Sequence, residues 1–316
     1  MRSTIAHRFA GRSRGAALIA ALLTVALATL LATQLIAAQS DAIQHLIGRR
    51  DLAQARWLAR GAADWARAIL AEDARTSQID HPGESWAIKV PPIPIKSGQN
   101  QDISEGELSG EIAELDGRFN LNRLVNSGRV DQAQFAAFVR LLMILDVSAV
   151  DADRLAQTLA DWIDSDSVTT DGATEMARYG EEFGNQPLLG VGSLLKVPGF
   201  TSALLVRLEP FISALPQNRP LNLNTVSMEV LQAELPALGK TNAQRVIAER
   251  ERAPFRDVSD FNARFIDAGA NAGFGVASSF FIVTTRASYG ESVVQMRTLL
   301  YRGGSPWPDI LWQQTL

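Results

Sequence analysis

Residues 16–40 read AALIAALLTVALATLLATQLIAAQS and contain no charged side chain. Folded as an α-helix, this run is about 37 Å long, enough to cross the hydrocarbon core of a bilayer, which is about 30 Å thick. Residues 1–15 carry arginines and no acidic side chain, so the positive-inside rule keeps them in the cytoplasm. The alternative, a cleaved secretory signal, usually has a shorter apolar core. We therefore expect a single-pass protein of the inner membrane whose remaining chain lies outside the cytoplasm.

The helical pattern continues past this apolar run, without a turn signal, to about residue 74. Apolar side chains recur at steps of three and four residues and form one stripe, made of Ile43, Leu46, Ile47, Trp57, Leu58, Gly61, Trp65, Ile69 and Leu70. We expect one helix over 16–74, with its first half in the membrane. Its second half is expected to pack on a folded domain through this stripe.

Composition restricts the chemistry that this chain can perform. It has 316 residues, a net charge of −4 and no cysteine, so disulfides and thiolate metal sites are excluded. Its three histidines lie in the first quarter of the chain, which excludes a histidine-based triad or zinc site in the rest. No pair of nucleophile and base remains, and we expect no enzymatic activity. The mild acidity argues against a nucleic-acid-binding surface.

Strand patterns lie at both ends of the region after the long helix, with helical patterns between them. Strands are predicted at 86–95, 108–115, 279–286 and 292–302, with a hairpin turn at 289–291. Helices are predicted at 130–146, 151–163 (capped by Asp151), 225–234 (capped by Thr225) and 241–251, with helical turns in 190–214. A strand-rich frame interrupted by a helical block of this size indicates a domain insertion.

The N-terminus resembles the class III signal of type IV pilins and pseudopilins, because a short basic leader ends in Gly15 and AALIAALL follows. In that family a prepilin peptidase cuts after the glycine and methylates the new N-terminus, here Ala16. Most members carry glutamate five residues after the cut, whereas this chain has Ala20. The branch that lacks this glutamate is the minor pseudopilin K of the type II secretion system (the general secretion pathway protein K family). A segment close to DGRFNLN, at 116–122, is also typical of that branch.

The resemblance implies an α+β fold, in which a pilin-like long N-terminal helix packs on a small antiparallel sheet. It also implies a large inserted all-α domain containing helix-hairpin-helix/SAM-like elements. The implied divisions are a cytoplasmic prepilin leader (1–15), the long helix (16–75), the first part of the sheet domain (76–120), the inserted α-domain (121–277), and the second part of the sheet domain with a C-terminal tail (278–316).

The implied function is to cap the tip of the type II secretion pseudopilus together with the I and J minor pseudopilins, supporting export of folded proteins across the outer membrane. The other implied partners are the major pseudopilin filament, the prepilin peptidase and the inner membrane, with the C-terminal domain in the periplasm. No nucleic-acid partner is expected.

Residues 161–175, DWIDSDSVTTDGATE, concentrate five carboxylates. Oxygen-rich segments of this kind suit a hard cation such as Ca²⁺, although the spacing excludes an EF-hand. From the residues alone, a solvated turn rich in capping side chains remains the alternative. The resemblance favours calcium, because known members of the family bind it in the α-domain after a similar stretch. It implies four ligands: Asp164, Asp166, Asp171 and Glu175.

Residues 221–258 resemble a helix-hairpin-helix, a motif whose DNA-binding versions bring backbone N–H groups to a phosphate through a glycine-rich turn. Here Ala237 replaces the first glycine of that turn. The cations Lys240, Arg245 and Arg250 are offset by neighbouring glutamates. We expect a hairpin that packs within the helical domain, and a membrane-anchored DNA-binding protein is the alternative function.

Overall fold

A computed structural model describes residues 12–96, 104–165, 184–266, 268–305 and 307–316. One uninterrupted helix, α1, spans Arg12–Thr76, as predicted. Its first part, through residue 50, is exposed along its whole surface in the described residues, and its last part packs on a sheet.

Within the described residues the sheet has five antiparallel strands: β1 (Val90–Lys96), β2 (Ser104–Glu114), β3 (Phe280–Tyr289), β4 (Ser292–Tyr301) and β5 (Asp309–Thr315). They lie in the order β1-β2-β3-β4-β5. The turn between β3 and β4 contains Gly290 at φ 54, the left-handed region that a tight hairpin turn requires. A long N-terminal helix on an antiparallel sheet therefore confirms the coarse fold prediction. The fifth strand was not predicted, because 309–315 was assigned to a tail.

The face of α1 that contacts the sheet coincides with the predicted stripe only in part, because Leu58, Ile69 and Leu70 of the stripe pack there. The buried positions are small, and they end in one leucine: Ala55, Ala59, Ala63, Ala66 and Leu70. They pack against apolar side chains of β3 and β4. Trp57 and Trp65 are 66% and 50% exposed. The prediction weighted bulky side chains, but a helix lies closest to a sheet where its side chains are small.

Six helices follow in the described part of the block between β2 and β3: α2 (Gln132–Ile144), α3 (Ala149–Ile163), α4 (Ser202–Leu208), α5 (Met228–Glu234), α6 (Gly239–Arg252) and α7 (Val258–Arg264). Short 3₁₀ turns occur here and before β1, at Ser85–Ala87, Leu121–Leu124, Val191–Lys196 and Pro236–Leu238. Two-residue strands pair as Phe119–Asn120 with Ile212–Ser213, Val125–Asn126 with Arg129–Val130, and Leu221–Asn222 with Phe274–Gly275. The block encloses its own apolar core, which includes Phe119, Phe138, Phe255 and Phe261.

Two helix caps lie at other residues than predicted. The hydroxyl of Ser148, not Asp151, accepts the N–H bond that caps α3, and Asp151 lies in the first turn. Ser227 caps α5, whereas the Thr225 hydroxyl donates to the carbonyl of Asn222. Serine, threonine and aspartate can each cap a helix, so residue type alone does not show which of them does. The backbone conformation before the helix decides which side chain caps it.

The helical block is attached at the end of the sheet that is farthest from the N-terminal half of α1. The β3–β4 turn at Gly290 lies against Asp51. At the opposite end, the backbone N–H of Asp80, just after α1, donates to the carbonyl of Val276, just before β3. Asp51 and Thr76 are about 37 Å apart along the helix at 1.5 Å per residue.

Candidate functional site

The predicted cleavage site, Gly15–Ala16, lies within α1 with both residues exposed. Among the described residues, one helix region, Gly15–Thr76, is long and apolar enough to cross a membrane. The hydroxyls of Thr24, Thr29 and Thr33 donate to carbonyls three or four residues earlier in the helix. These three hydroxyls are therefore satisfied inside the helix, which suits a lipid environment.

One predicted metal ligand is described, and it lies at the C-terminal end of α3. Asp164 follows the last residue of that helix and is 6% exposed, and Asp161 is 1% exposed. The N–H of Gln186 donates to the carbonyl of Trp162, so the chain returns to this helix end. Asp166, Asp171 and Glu175 lie outside the described residues. The structure thus places Asp164 and Asp161 together as buried carboxylates at one end of the acidic segment.

The segment of the predicted hairpin contains α5 and α6, with Gly239 at φ 67 at the start of α6. The Arg250 guanidinium donates to the carbonyls of Leu223 and Val226, and burial lowers its pKa to about 10. Arg245 bonds to Asn242 and Glu249 of its own helix, whereas Lys240 is exposed. Of the three cations, Arg250 therefore ties α6 to the segment before α5.

A buried cluster of carboxylates, which was not predicted from the sequence, joins the sheet to the helical block. The Asp116 carboxylate accepts N–H bonds from Ser279 (2.5 Å) and Phe280 (2.9 Å). The Glu114 carboxylate accepts the hydroxyl of Ser278 (2.7 Å) and the N–H of Gly117. The chain leaves the sheet after Glu114 and re-enters it at Phe280. These bonds therefore clamp the exit to the entry.

Burial dominates the electrostatics of this junction. Burial, together with the charge of Asp116, raises the pKa of Glu114 to about 8. Burial also raises the pKa of Asp116 to about 6, against the N–H bonds from Phe280 and Ser279. At neutral pH the pair therefore tends to retain a proton, because two adjacent buried carboxylates repel each other when both are ionised.

Arg302 supplies the positive charge of the junction. It donates to Asp73, to Asp80 and to the carbonyl of Ser278, and lies 4.7 Å from the ring centroid of Phe281. Asp73, Asp80 and Glu84 are close enough together to hold a cation. The guanidinium already binds two of them, so these carboxylates form a structural ion-pair network. Only Arg302 follows a strand directly, and Asp73 lies within α1, so no local sequence pattern indicated this network.

The comparisons with known proteins agree over most of the chain. Two family models, both described as type II secretion system protein K, match residues 117–217 and 221–276. The type II secretion system protein K of Pseudomonas aeruginosa is 32% identical over 310 residues, covering 92% of this chain and 89% of the relative. That of Klebsiella pneumoniae is 30% identical, covering 93% and 94%.

A solved structure has the same fold. It belongs to the crystal structure of the GspK-GspI-GspJ complex from the enterotoxigenic Escherichia coli type 2 secretion system. The matched chain superposes with a TM-score of 0.72 at 23% identity, covering 86% of this chain and 99% of the matched one.

Proposed function

The chain belongs to the protein K family of type II secretion systems and is a minor pseudopilin, and we propose that it caps the tip of the pseudopilus. The observation that carries this proposal is where the helical block attaches. Asp80, just after α1, bonds to Val276, so the block is attached at the end of the sheet farthest from the membrane-spanning half of α1. A subunit added above would meet this block instead of a free sheet end.

Ala20 supports the same position. In pilin-like filaments, the glutamate at this position can neutralise the buried N-terminal amine of the subunit above. Ala20 has no charge to offer. A subunit at the tip has nothing above it and does not need this glutamate.

The proposed partners are the I and J minor pseudopilins, together with the major pseudopilin filament. The E. coli crystal structure is that of a complex of GspK, GspI and GspJ, and one chain of that complex has the fold of this chain. Before assembly, prepilin peptidase would cut between Gly15 and Ala16 and methylate Ala16. The helix within Gly15–Thr76 would anchor the chain in the inner membrane, with the C-terminal domain in the periplasm.

The helical block is proposed to bind calcium through Asp164, Asp166, Asp171 and Glu175. Burial of Asp161 and Asp164 at the end of α3 supports this site, because buried carboxylates are stabilised by a nearby cation. Calcium would supply positive charge that holds the ends of the acidic segment against α3.

The α5–α6 hairpin is proposed to be a helix-hairpin-helix/SAM-like element with a packing role. Its Arg250 bonds to carbonyls before α5, which supports that role over phosphate contact. The proposed function is structural and requires no reaction at this or any other site.

Immunogold labelling tests the cap directly. Pseudopili are assembled by overexpression with an epitope tag on this chain, and gold particles are scored by position. We expect label at one end of each filament, and label scattered along the shaft would refute the cap. Co-purification of the full chain with the I and J proteins from detergent-solubilised membranes tests the partners separately.

A further inference from the structure

The helical block and the α1–sheet unit have separate apolar cores. The buried core of the block is made of residues between 119 and 274 and includes none of α1 or of β1–β5. In the described part of the chain, Leu215 is the one residue of 119–277 in the buried apolar cluster of the sheet, which otherwise contains Leu115, Phe280, Ile282 and Leu299. Polar contacts at the junction therefore carry much of the attachment of the block to the sheet.

Ser278 lies at the centre of these polar contacts. Its hydroxyl donates to the carboxylate of Glu114 and accepts from the side-chain amide of Asn222, each at 2.7 Å. The same amide donates to the carbonyl of Asp80 at 3.0 Å, and the N–H of Ser278 donates to the Asp80 carboxylate at 2.7 Å. All four residues are buried. The segments after α1, after β2 and before β3 are thus tied to the block at one place.

The chain that leaves β2 also lies directly against the block. The backbone N–H of Asn222 donates to the carbonyl of Asp116 at 3.1 Å. The N–H of Gly117 donates to the Glu114 carboxylate, and a Cβ at Gly117 would lie 2.3 Å from the hydroxyl oxygen of Thr225. Glycine is required at this position, because the block approaches the Glu114 carboxylate so closely.

Glu114 and Asp116 are adjacent buried carboxylates, and among the described residues neither forms an ion pair. The charged groups that face this pair and its neighbour Asp80 come from three places: Asp73 and Glu84 at and after the end of α1, Arg302 after β4, and Arg118, Arg219 and Arg250 from the block. Three of the four cations are bonded elsewhere: Arg118 and Arg250 to backbone carbonyls, and Arg302 to Asp73 and Asp80. The fourth, Arg219, is exposed. Two adjacent buried carboxylates without a bonded cation favour retention of a proton.

This burial depends on the block lying against the sheet. With the block in place, burial raises the pKa of Glu114 to about 8 and that of Asp116 to about 6. If the block moves away, water reaches both carboxylates, and each pKa returns toward its ordinary value, 4.5 and 3.8 respectively. The closed junction then holds a proton that the open junction has released. Closure is therefore complete below about pH 4.5 and loses stability as the pH rises to about 8.

We propose that the carboxylate pair Glu114–Asp116 is a proton-dependent latch, which holds the helical block against the sheet while it keeps its proton and lets the block turn as a unit when that proton passes to solvent. The block turns about the two covalent connections, after β2 and before β3. Both cores remain folded, because each is enclosed within its own unit. At the filament tip proposed above, the latch would set the orientation of the block over the shaft, but its action does not depend on that position.

Double electron–electron resonance between two spin labels tests the latch, and the absence of cysteine from the chain allows labels at chosen positions. Arg286→Cys on β3 and Gln244→Cys on α6 label exposed positions of the sheet and the block. For the full chain in detergent, we expect one narrow distance distribution at about pH 5 and a broader, longer one at about pH 8.5, above the pKa of Glu114. Circular dichroism should be the same at both pH values. Equal distance distributions would overturn the proposal, and so would a loss of helix content at the higher pH, since that would be unfolding.

Variants test whether the proton on this pair is responsible. Glu114→Gln keeps the shape of the protonated side chain and cannot ionise, so the narrow distribution should persist at about pH 8.5. Asp116→Asn should also reduce the opening, because it removes the opposing charge while its amide oxygen can still accept the N–H bonds of Ser279 and Phe280. Glu107→Gln is the matched control, an exposed glutamate on the same strand, and should open like the wild-type protein. Equal opening of Glu114→Gln and Glu107→Gln would show that no proton on Glu114 holds the block.

Discussion

Glu114 is the residue whose ionisation most affects the junction between the sheet and the helical block. Its folded-state pKa, about 8, lies above the ordinary value of 4.5. Its contribution to stability is therefore complete below pH 4.5 and is lost as the pH rises through 8. We expect the melting temperature of the full chain in detergent to fall between about pH 4.5 and pH 8, as the free energy of unfolding decreases by up to about 1.4 kcal/mol per pH unit.

Glu114→Gln mimics the protonated side chain and should flatten this decrease. Glu111→Gln is the matched control, because Glu111 is on the same strand but its side chain is 45% exposed and pairs with Lys89. Thermal melts in a pH series provide the measurement. If wild-type protein and Glu114→Gln lose stability in parallel between about pH 4.5 and pH 8, the buried proton has no part in the junction.

At the scale of single elements, the alanine face of α1 decides how closely the helix approaches the sheet. Ala59 is fully buried, and its carbonyl accepts a hydrogen bond from the hydroxyl of Thr285 on β3. Ala59→Leu should overpack this contact and destabilise the protein by about 1–3 kcal/mol. Ala53→Leu, at an exposed position of the same helix, should change stability little. Urea unfolding of both variants is the measurement, and equal midpoints would contradict the assigned contact face.

The elements show which parts of the fold the sequence could predict. The long helix, the β3–β4 hairpin and α2 followed from period and turn residues, which act locally. The strand β5 was missed, because DILWQQT is short and its apolar positions do not alternate clearly. On the contact face of α1, Leu58, Ile69 and Leu70 were predicted correctly, whereas Trp57 and Trp65 were wrong, because close packing on a sheet favours small side chains such as alanine.

The first predicted calcium ligand, Asp164, lies at the C-terminal end of α3. The full chain in detergent should gain melting temperature with added Ca²⁺ relative to chelator, since a ligand that binds only the folded state stabilises it by mass action. Asp164→Ala combined with Asp166→Ala should abolish this gain. Asp151→Ala with Asp153→Ala, two acidic residues at the start of the same helix, should preserve it. Equal melting temperatures in calcium and chelator for the wild-type protein would rule out the site.

At the scale of the whole molecule, contacts far apart in the sequence hold the junction together. Arg302 bonds to Asp73 and Asp80, and Asp116 accepts bonds from Ser279 and Phe280. More than 160 residues separate the partners in each of these bonds. Local patterns could predict an insertion between strands, but not which charged residues would close it. Asp164, by contrast, lies in a run of acidic residues, so it could be selected from the sequence as a candidate metal ligand.

The same junction shows how the helical block can be removed. Leu115 and Phe280 are bonded backbone to backbone, and Asp116 bonds to Ser279. Deleting residues 118–277 would join Gly117 to Ser278, leaving a two-residue Gly-Ser turn between β2 and β3. Glycine at the first central position suits a type II′ hairpin turn. The shortened chain should therefore retain the α1–sheet unit, which circular dichroism and protease resistance can verify before any filament experiment.

The cap model makes a specific prediction for this deletion. Ala20→Glu supplies the carboxylate with which an incoming subunit pairs with the N-terminal amine of the subunit above it. When such an ion pair is buried, its loss costs about 3–5 kcal/mol, by analogy with other buried pairs. With the helical block still present, Ala20→Glu should label only filament ends in immunogold micrographs, because the block still obstructs a subunit above. Ala20→Glu combined with the deletion should place label along the shaft. The deletion with Ala20 retained is the control and should enter the shaft less often. Shaft labelling by Ala20→Glu alone would show that charge, and not the helical block, confines the wild-type protein to the tip.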